Sequence, residues 1–138
     1  MLTELIFKLS APWNNPYQNE DPRLLFVCSA GLLRSPTGAE LFSKKGYNTR
    51  SCGSHIEFAL IPLTANLIRW ANLIVFVHPE NEARAVVFFK DEWREELIRK
   101  SIILDIPDKF TRNDPDLVHA FDLFSDAILT RIRELAQG

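Results

Sequence analysis

The chain has 138 residues, of which 46% are hydrophobic and 11% aromatic, with 5 Gly and 8 Pro. This length and composition are typical of one globular domain and exclude collagen-like, low-complexity and wholly disordered chains. A net charge of −2 does not favour binding to nucleic acid or to an anionic membrane. No apolar run approaches the ~20 residues that cross a bilayer, and no leader pattern is visible, so we expect a soluble, cytoplasmic protein.

The first half of the chain predicts two strands that flank a helix. The apolar run from Leu24 to Cys28 has no helical spacing and predicts a buried strand. Ser35 and Pro36 then predict an N-cap and a first-turn proline of a helix that ends near Gly46. A second strand is predicted over residues 47–51.

The second half repeats this alternation of helices and strands. Helical spacing over residues 62–71 predicts a helix, and the apolar run at residues 73–77 predicts a third, buried strand. The charged stretch at residues 80–100 predicts one or two amphipathic helices. A fourth strand is expected over residues 101–104.

The chain is expected to close with one long helix over residues 114–138, with Asp114 as N-cap and Pro115 in the first turn. Strands that alternate with helices imply right-handed crossovers and a parallel sheet covered on both faces. The sequence therefore predicts a three-layer α/β/α domain with a four-stranded parallel sheet over residues 23–138, preceded by an irregular N-terminal arm over residues 1–22. Ligands of such sheets bind at the carboxyl ends of the strands.

The residues that connect the first strand to the first helix could bind an anion. Cys28 closes the strand, and Arg34 lies six residues later, where the helix begins. If the loop between them curls in front of the helix, its backbone N–H groups and the helix dipole form a phosphate site. Arg34 would hold two phosphate oxygens, and the positive surroundings would favour the thiolate of Cys28, to which Ser35 could donate a hydrogen bond besides capping the helix. The candidate phosphate-binding residues are Ser29, Ala30, Gly31, Leu32, Leu33, Arg34 and Ser35.

The segment from Leu25 to Leu41, LFVCSAGLLRSPTGAEL, resembles the phosphate-binding loop and first helix of low-molecular-weight protein tyrosine phosphatases. Three later segments also resemble the family. Arg50 to Ser54 resembles the end of its second strand, Trp70 to Phe76 the entry to its third strand, and Ile106 to Phe110 its general-acid loop. The resemblance covers residues 24–134 and is nearest to the short bacterial and phage branch of predicted tyrosine phosphatases.

This resemblance implies a cysteine-dependent phosphatase with Cys28 as nucleophile, residues 29–34 as phosphate cradle and Asp108 as general acid. It implies a phosphocysteine intermediate that water hydrolyses, without a cofactor or a metal ion. The expected partner is a phosphotyrosine-containing protein or a small phosphomonoester. Asp105 is a second candidate for the acid. Phe110 would form an aromatic wall beside a phosphotyrosine ring, and a core position for it is equally compatible with the sequence.

Three features depart from the family pattern. Gly31 or Ala30 stands where the family has an Asn that pins the loop, and Lys109 stands where it has the proline after the acid. The arm of residues 1–22 precedes the first strand. These departures support a second hypothesis, in which the chain is a phosphate-binding or protein-interaction module with weakened catalysis on the same fold.

The second cysteine and the histidines allow more than one interpretation. Cys52 is either a plain buried thiol or a redox partner of Cys28. No cysteine follows Cys52, which argues against an arsenate reductase on the same fold. His55, His78 and His119 are expected to be structural, and no spacing of Cys, His, Asp or Glu resembles a metal site.

Overall fold

The computed structural model describes residues 22–137 and contains one sheet of four parallel strands. The strands are β1 (Arg23–Cys28), β2 (Asn48–Gly53), β3 (Leu73–Phe76) and β4 (Ser101–Ile103), and they lie in the order β2-β1-β3-β4. Their positions agree with the predicted strands to within two residues at each end. The predicted N-terminal arm lies outside the described residues, except for Pro22.

Helices cover both faces of this sheet. Within the described residues they are α1 (Arg34–Lys44), α2 (Ala65–Trp70), α3 (Pro79–Arg99), α4 (Pro115–Leu123) and α5 (Ser125–Gln137). Side chains from α1, α4 and α5 form the core on one face, and those from α2 and α3 form the core on the other. The predicted three-layer α/β/α architecture with four parallel strands is therefore confirmed.

Strand β1 lies between β2 and β3 and contributes to both cores. Leu24, Phe26 and Cys28 face α1, whereas Leu25 and Val27 face α3, and all five are at most 3% exposed. A strand buried on both faces needs a continuous apolar sequence, which explains the run seen in the sequence. Cys28 is the last residue of this alternation, at the edge where the loops begin.

Helix α1 begins two residues earlier than predicted, and Ser35 is not its N-cap. Leu33 occupies the cap position and its side chain makes no capping hydrogen bond. Ser35 Oγ lies instead 3.0 Å from Cys28 Sγ and 3.2 Å from the Cys52 carbonyl oxygen. The N-cap prediction was wrong because the hydroxyl of Ser35 contacts groups at the ends of β1 and β2, of which only Cys28 was expected from the sequence.

The two helices between β2 and β4 also differ from their predicted extent. Helix α2 begins only at Ala65, because Thr64 caps it by accepting a hydrogen bond from the Leu67 amide, while Pro62 pairs with the end of β2. Helix α3 is interrupted at Lys90, whose φ of 53° and ψ of −148° are not helical. Of the two predicted possibilities, one helix or two, the chain therefore adopts two helical segments.

The end of the chain forms two helices, not the one long helix predicted. Asp114 caps α4 as expected, with its side chain accepting a 2.9 Å hydrogen bond from the Asp116 amide. The chain then tightens at Phe124, whose N–H donates to the carbonyl of Phe121 at 3.1 Å. This change of direction allows residues of both helices, among them Ile128, to reach the same core. No helix in residues 22–137 has the length and apolarity needed to span a membrane.

Candidate active site

A cavity of about 520 Å³ opens at the carboxyl ends of the strands. The chain goes from β1 to β2 on one side and then to β3 on the other, and parallel α/β sheets bind ligands at such a reversal. Loops that follow all four strands line the cavity. The connection after β1 contributes Cys28, Ser29, Ala30, Leu32, Leu33 and Arg34. His55 and Phe58 come from the loop after β2, His78 and Glu80 from that after β3, and Pro107 and Asp108 from that after β4.

Cys28 lies at the base of this cavity and is only 3% exposed. The amide N–H of Gly31 donates to its Sγ at 3.2 Å, and the hydroxyl oxygen of Ser35 lies 3.0 Å away. Hydrogen bonds from N–H and O–H groups to an anionic acceptor are stronger than those to a neutral one. The Gly31 amide therefore stabilises negative charge on the sulfur, whereas the single proton of Ser35 is donated to the Cys52 carbonyl oxygen at 3.2 Å and reaches the sulfur only when the hydroxyl turns from that carbonyl.

Arg34 is buried in the same cavity, with 3% of the side chain exposed. Its Nη1 donates to the Ile106 carbonyl at 2.8 Å, and its Nη2 donates to Ser29 Oγ at 3.1 Å. Its Nε lies 3.7 Å from the Asp108 carboxylate. The structure thus brings together Cys28, Arg34 and Asp108, which lie on three different loops or helix ends.

Gly31 allows the loop between Cys28 and Arg34 to pass close to β2. Its φ is +78°, a backbone conformation that favours glycine. A Cβ at this position would lie 2.9 Å from the carbonyl carbon of Cys52, closer than real side chains approach. Any larger residue at position 31 would therefore displace the loop from β2.

The segment after β2 fixes the loop through backbone hydrogen bonds. The amides of Ser54, His55 and Leu60 donate to three successive loop carbonyls, those of Cys28, Ser29 and Ala30, at 2.8, 3.0 and 3.3 Å. These bonds restrain the loop without the Asn side chain that the resemblance led us to expect.

The loop offers backbone donors to a ligand. No described residue accepts a hydrogen bond from the amide N–H groups of Ala30, Leu32 and Leu33, all of which line the cavity. Backbone amides in a loop that precedes a helix N-terminus are typical phosphate ligands. Together with Arg34, this arrangement is suited to bind a tetrahedral oxyanion.

Of the two candidate acids, Asp108 lines the cavity and Asp105 does not. Asp108 is at the centre of a tight turn, in which the Lys109 amide donates to the Pro107 carbonyl at 3.0 Å, and its side chain is 61% exposed. Asp105 is 82% exposed and lies 3.7 Å from Nε2 of His78. Lys109 Nζ lies over the ring of Phe110, 5.3 Å from its centre.

A different aromatic residue from the predicted Phe110 lines the cavity. Phe110 packs partly buried against the α1 face of the core and does not line the cavity. The aromatic side chain at the cavity is Phe58, which is 62% exposed and has its ring centre 5.2 Å from that of His55. The sequence did not single out Phe58, because it lies in an irregular segment whose position depends on contacts distant in the chain.

Cys28 and Cys52 are both free and lie on opposite faces of the sheet. Cys52 pairs in register with Val27, so its side chain points to the α3 face, whereas Cys28 points to the α1 face. Side chains that diverge in this way cannot form a disulfide without backbone movement. Burial raises the pKa of the Cys52 thiol well above its ordinary value, and the charge of Cys28 adds to this effect.

Several polar residues around the cavity were not predicted from the sequence to be functional. Asn81 is 1% exposed and contacts Ser29 and Ser54. His55 Nε2 lies 3.5 Å from the carboxylate of Glu80. A single Asn in the first turn of a helix carries no local signal, since its role follows from residues 27 to 52 positions away. No group of three or more His, Cys, Asp or Glu side chains suited to a metal ion occurs in the described part of the chain.

Comparison with known proteins identifies this fold. Neither a protein-family model nor a curated protein matches the sequence. Solved structures do match: Wzb from Vibrio vulnificus in complex with benzylphosphonate is 20% identical, with a TM-score of 0.56, over 83% of this chain and 99% of Wzb. The YwlE arginine phosphatase from Geobacillus stearothermophilus is 22% identical, with a TM-score of 0.56, over 84% of this chain and 91% of its own. A low-molecular-weight protein tyrosine phosphatase from T. tengcongensis is 17% identical, with a TM-score of 0.54, over 85% and 99%.

The chain has the fold of the low-molecular-weight phosphatases. The match spans nearly the full length of each of these phosphatases. It covers 83% to 85% of this chain, and the 116 described residues make up a similar share.

Proposed function

We propose that the protein is a cysteine-dependent phosphatase that hydrolyses phosphotyrosine or a similar phosphomonoester through a phosphocysteine intermediate. The observation that carries this proposal is the presence of Cys28 Sγ, the buried Arg34 guanidinium and the Asp108 carboxyl group in one cavity. Phosphoryl transfer requires a nucleophile, stabilisation of the phosphoryl oxygens and a proton for the leaving group, and these three groups can supply them.

In the first step, a lone pair of the Cys28 thiolate attacks the phosphorus atom. The bond between phosphorus and the leaving oxygen breaks, and that oxygen takes the proton of the Asp108 carboxylic acid. Arg34 and the loop amides hold the remaining phosphoryl oxygens. The bound phosphate displaces the Asp108 carboxylate from its position 3.7 Å from Arg34 Nε, which leaves Asp108 available to the leaving group.

In the second step, water attacks the phosphorus of phosphocysteine, and Asp108 accepts its proton. The bond between sulfur and phosphorus breaks, and its electron pair returns to Cys28. Ser35 Oγ lies 3.0 Å from the sulfur, and its hydroxyl donates a hydrogen bond to the departing thiolate when it turns from the Cys52 carbonyl. The net reaction consumes one water and releases an alcohol or phenol and inorganic phosphate.

Phe58 supports an aromatic leaving group. An exposed aromatic ring beside a cavity can pack against a phenyl ring in an offset or edge-on arrangement. The neighbouring side chains Leu32 and Leu33 are 45% and 40% exposed at the same opening and extend the apolar surface. These apolar surroundings favour phosphotyrosine over a phosphate that is attached to a strongly polar group.

The test is hydrolysis of p-nitrophenyl phosphate by the purified protein between pH 5 and 7. We expect turnover that phosphate and vanadate inhibit competitively, and that Cys28→Ser abolishes because serine is a far weaker nucleophile at these pH values. Cys52→Ala is the matched control, since Cys52 lies on the opposite face of the sheet, and it should retain turnover.

Two outcomes would contradict the proposal. Phosphate binding without any turnover in a folded preparation would support the alternative of a binding module with weakened catalysis. Because the fold is shared with an arginine phosphatase, phosphoarginine should be assayed in parallel. Turnover of phosphoarginine alone would place the substrate outside the phosphomonoesters.

A further inference from the structure

Asn81 is a buried polar side chain beneath the loop between β1 and α1. It lies in the first turn of α3, where its backbone N–H donates to the His78 carbonyl at 2.9 Å, and only 1% of it is exposed. Its Nδ2 lies 3.2 Å from Ser29 Oγ and 3.2 Å from Ser54 Oγ. Burial of an amide costs free energy unless hydrogen bonds compensate for it. The contacts with the two serine hydroxyl groups therefore indicate the role of Asn81.

The hydroxyl oxygen of Ser29 accepts two hydrogen bonds. Arg34 Nη2 donates to it at 3.1 Å and Asn81 Nδ2 at 3.2 Å. A hydroxyl group has two acceptor lone pairs and one proton, and neither a guanidinium nor an amide NH₂ can accept that proton. The Ser29 proton is therefore available to a third group, and Ser29 lines the cavity where the phosphoryl group would bind.

We propose that Asn81 is a positioning residue that orients the Ser29 hydroxyl to accept from Arg34 and donate to a phosphoryl oxygen. This inference rests on the proposed phosphatase function. It adds a side-chain donor to the backbone donors of the loop, directed at oxygens whose charge must be stabilised in the transition state. It also explains why Arg34 keeps its orientation although its two terminal nitrogens bond only to uncharged acceptors, Ile106 and Ser29.

The orientation of the Asn81 amide determines whether the Ser29 proton is available. Its Nδ2 faces both hydroxyl groups, and no described residue donates to its Oδ1. In the reversed orientation, Oδ1 would accept the protons of Ser29 and Ser54, and Ser29 would have none left for the phosphoryl group. Asn81→Ala distinguishes the two arrangements, because in the reversed one it would free the Ser29 proton and would not weaken oxyanion binding.

The experiment compares the full chain with Ser29→Ala, Asn81→Ala and the double variant. It measures kcat and KM for p-nitrophenyl phosphate and the inhibition constant of vanadate. We expect each single variant to lower kcat/KM and vanadate affinity by about tenfold to a hundredfold, the loss typical of one hydrogen bond to a charged group. The double variant should lose no more than the worse single variant, because both changes remove the same donor. Ser29→Thr keeps the hydroxyl and should retain most of the activity.

Asn72→Ala is the matched control. Asn72 accepts a 2.9 Å hydrogen bond from the Arg23 amide at the opposite edge of the sheet, so its loss should affect stability and leave kcat/KM unchanged. Full activity and full vanadate affinity in Ser29→Ala, or additive losses in the double variant, would overturn the inference. If Asn81→Ala does not fold, Asn81→Ser takes its place in the comparison, and full vanadate affinity in Ser29→Ala would still overturn the inference. A wild-type protein without turnover would contradict the proposed function instead.

Discussion

At the scale of single residues, the side chain of Asp108 can have two placements, one beside Arg34 and one beside the leaving group. Without a ligand its carboxylate lies near Arg34, and a bound phosphate would take its place on the guanidinium. A carboxyl group on an exposed turn can then reach the leaving oxygen. Its contribution should therefore depend on how strongly the leaving group needs a proton.

We predict that Asp108→Asn lowers kcat by about 10²-fold or more for phenyl phosphate, a leaving group that requires a proton, in the range of general acid catalysis. The loss should be smaller for p-nitrophenyl phosphate, because p-nitrophenolate leaves readily without a proton. Rates for a series of substituted phenyl phosphates would measure this dependence. Asp105→Asn is the control, and a larger loss there than in Asp108→Asn would transfer the acid role to Asp105.

Phe58 should act on aromatic substrates only. We predict that Phe58→Ala raises KM for phenyl phosphate about fivefold, as expected for the loss of one aromatic contact, and changes KM for an alkyl phosphate little. Steady-state kinetics on both substrates measure the difference. Phe88→Ala removes a ring that is 52% exposed and does not line the cavity, and should have no effect. Equal effects on both substrates would contradict the assignment of Phe58.

The residue scale also shows what the sequence can predict. Cys28 and Arg34 could be selected because both lie in one short loop between a strand and a helix. Phe58 and Asn81 could not be selected, because they reach the site from loops after other strands. The contact of Ser35 Oγ with Cys28 Sγ could be predicted from the same short loop, whereas its bond to the Cys52 carbonyl could not, because that group lies at the end of β2.

At the scale of secondary structure, the interruption of α3 is the main irregularity. Lys90 has a φ of 53° and a ψ of −148°, in a region that side chains with a Cβ rarely adopt. The two helical segments on either side bury Ala85 and Leu97 on the same face of the sheet. The break therefore keeps both segments packed at the cost of local backbone strain.

We predict that Lys90→Gly stabilises the protein by about 1 kcal/mol, because glycine adopts a positive φ without steric cost. Chemical denaturation of both proteins measures the difference in the free energy of unfolding. Lys90→Ala keeps the Cβ and should give no gain. A lower stability of the glycine variant would show that Lys90 contributes through contacts that outweigh the strain.

The sequence predicts the strands better than it predicts the points where helices are interrupted. Strands β1 and β3 were predicted because each is a short apolar run bounded by polar residues, whereas β2, with the sequence NTRSCG, is not such a run. The turn at Phe124 was missed because residues 121–128 contain neither Gly nor Pro and continue a helical pattern. Packing of α4 and α5 against one core decides that break, and local sequence does not encode such packing.

At the scale of the whole molecule, the two edges of the sheet have different roles. The carboxyl edge holds the cavity, whereas the amino edge holds Lys100, which is 4% exposed and donates to the Ala71 carbonyl at 2.7 Å. Lys100 Nζ also lies 3.1 Å from the Glu96 carboxylate. Its hydrogen bond lowers the pKa of Glu96 below the ordinary value of 4.5, and burial lowers the pKa of Lys100.

These shifts predict how stability depends on pH. Because the pKa of Glu96 is lower in the folded state, its contribution is present above pH 4.5 and is lost as the pH falls through the folded value. The lowered pKa of Lys100 acts only in the alkaline range, where stability rises toward the ordinary lysine pKa. We expect Glu96→Gln to be less stable at pH 7 and to lose less stability between pH 5 and 3.

Melting temperatures from pH 7 to pH 3 measure this effect. Glu95→Gln, a change at the exposed neighbouring position, is the control and should follow the wild-type curve. A Glu96→Gln curve parallel to that of the wild type would mean that Glu96 does not contribute to the acid limb.

The placement of the two thiols on opposite faces of the sheet has a consequence for exposure to peroxide. If hydrogen peroxide converts Cys28 to a sulfenic acid, Cys52 is not in a position to condense with it, and the chain has no other cysteine. Further oxidation to the sulfinic acid is irreversible without a dedicated repair enzyme. Formation of a disulfide that protects Cys28 would therefore require a thiol from another molecule.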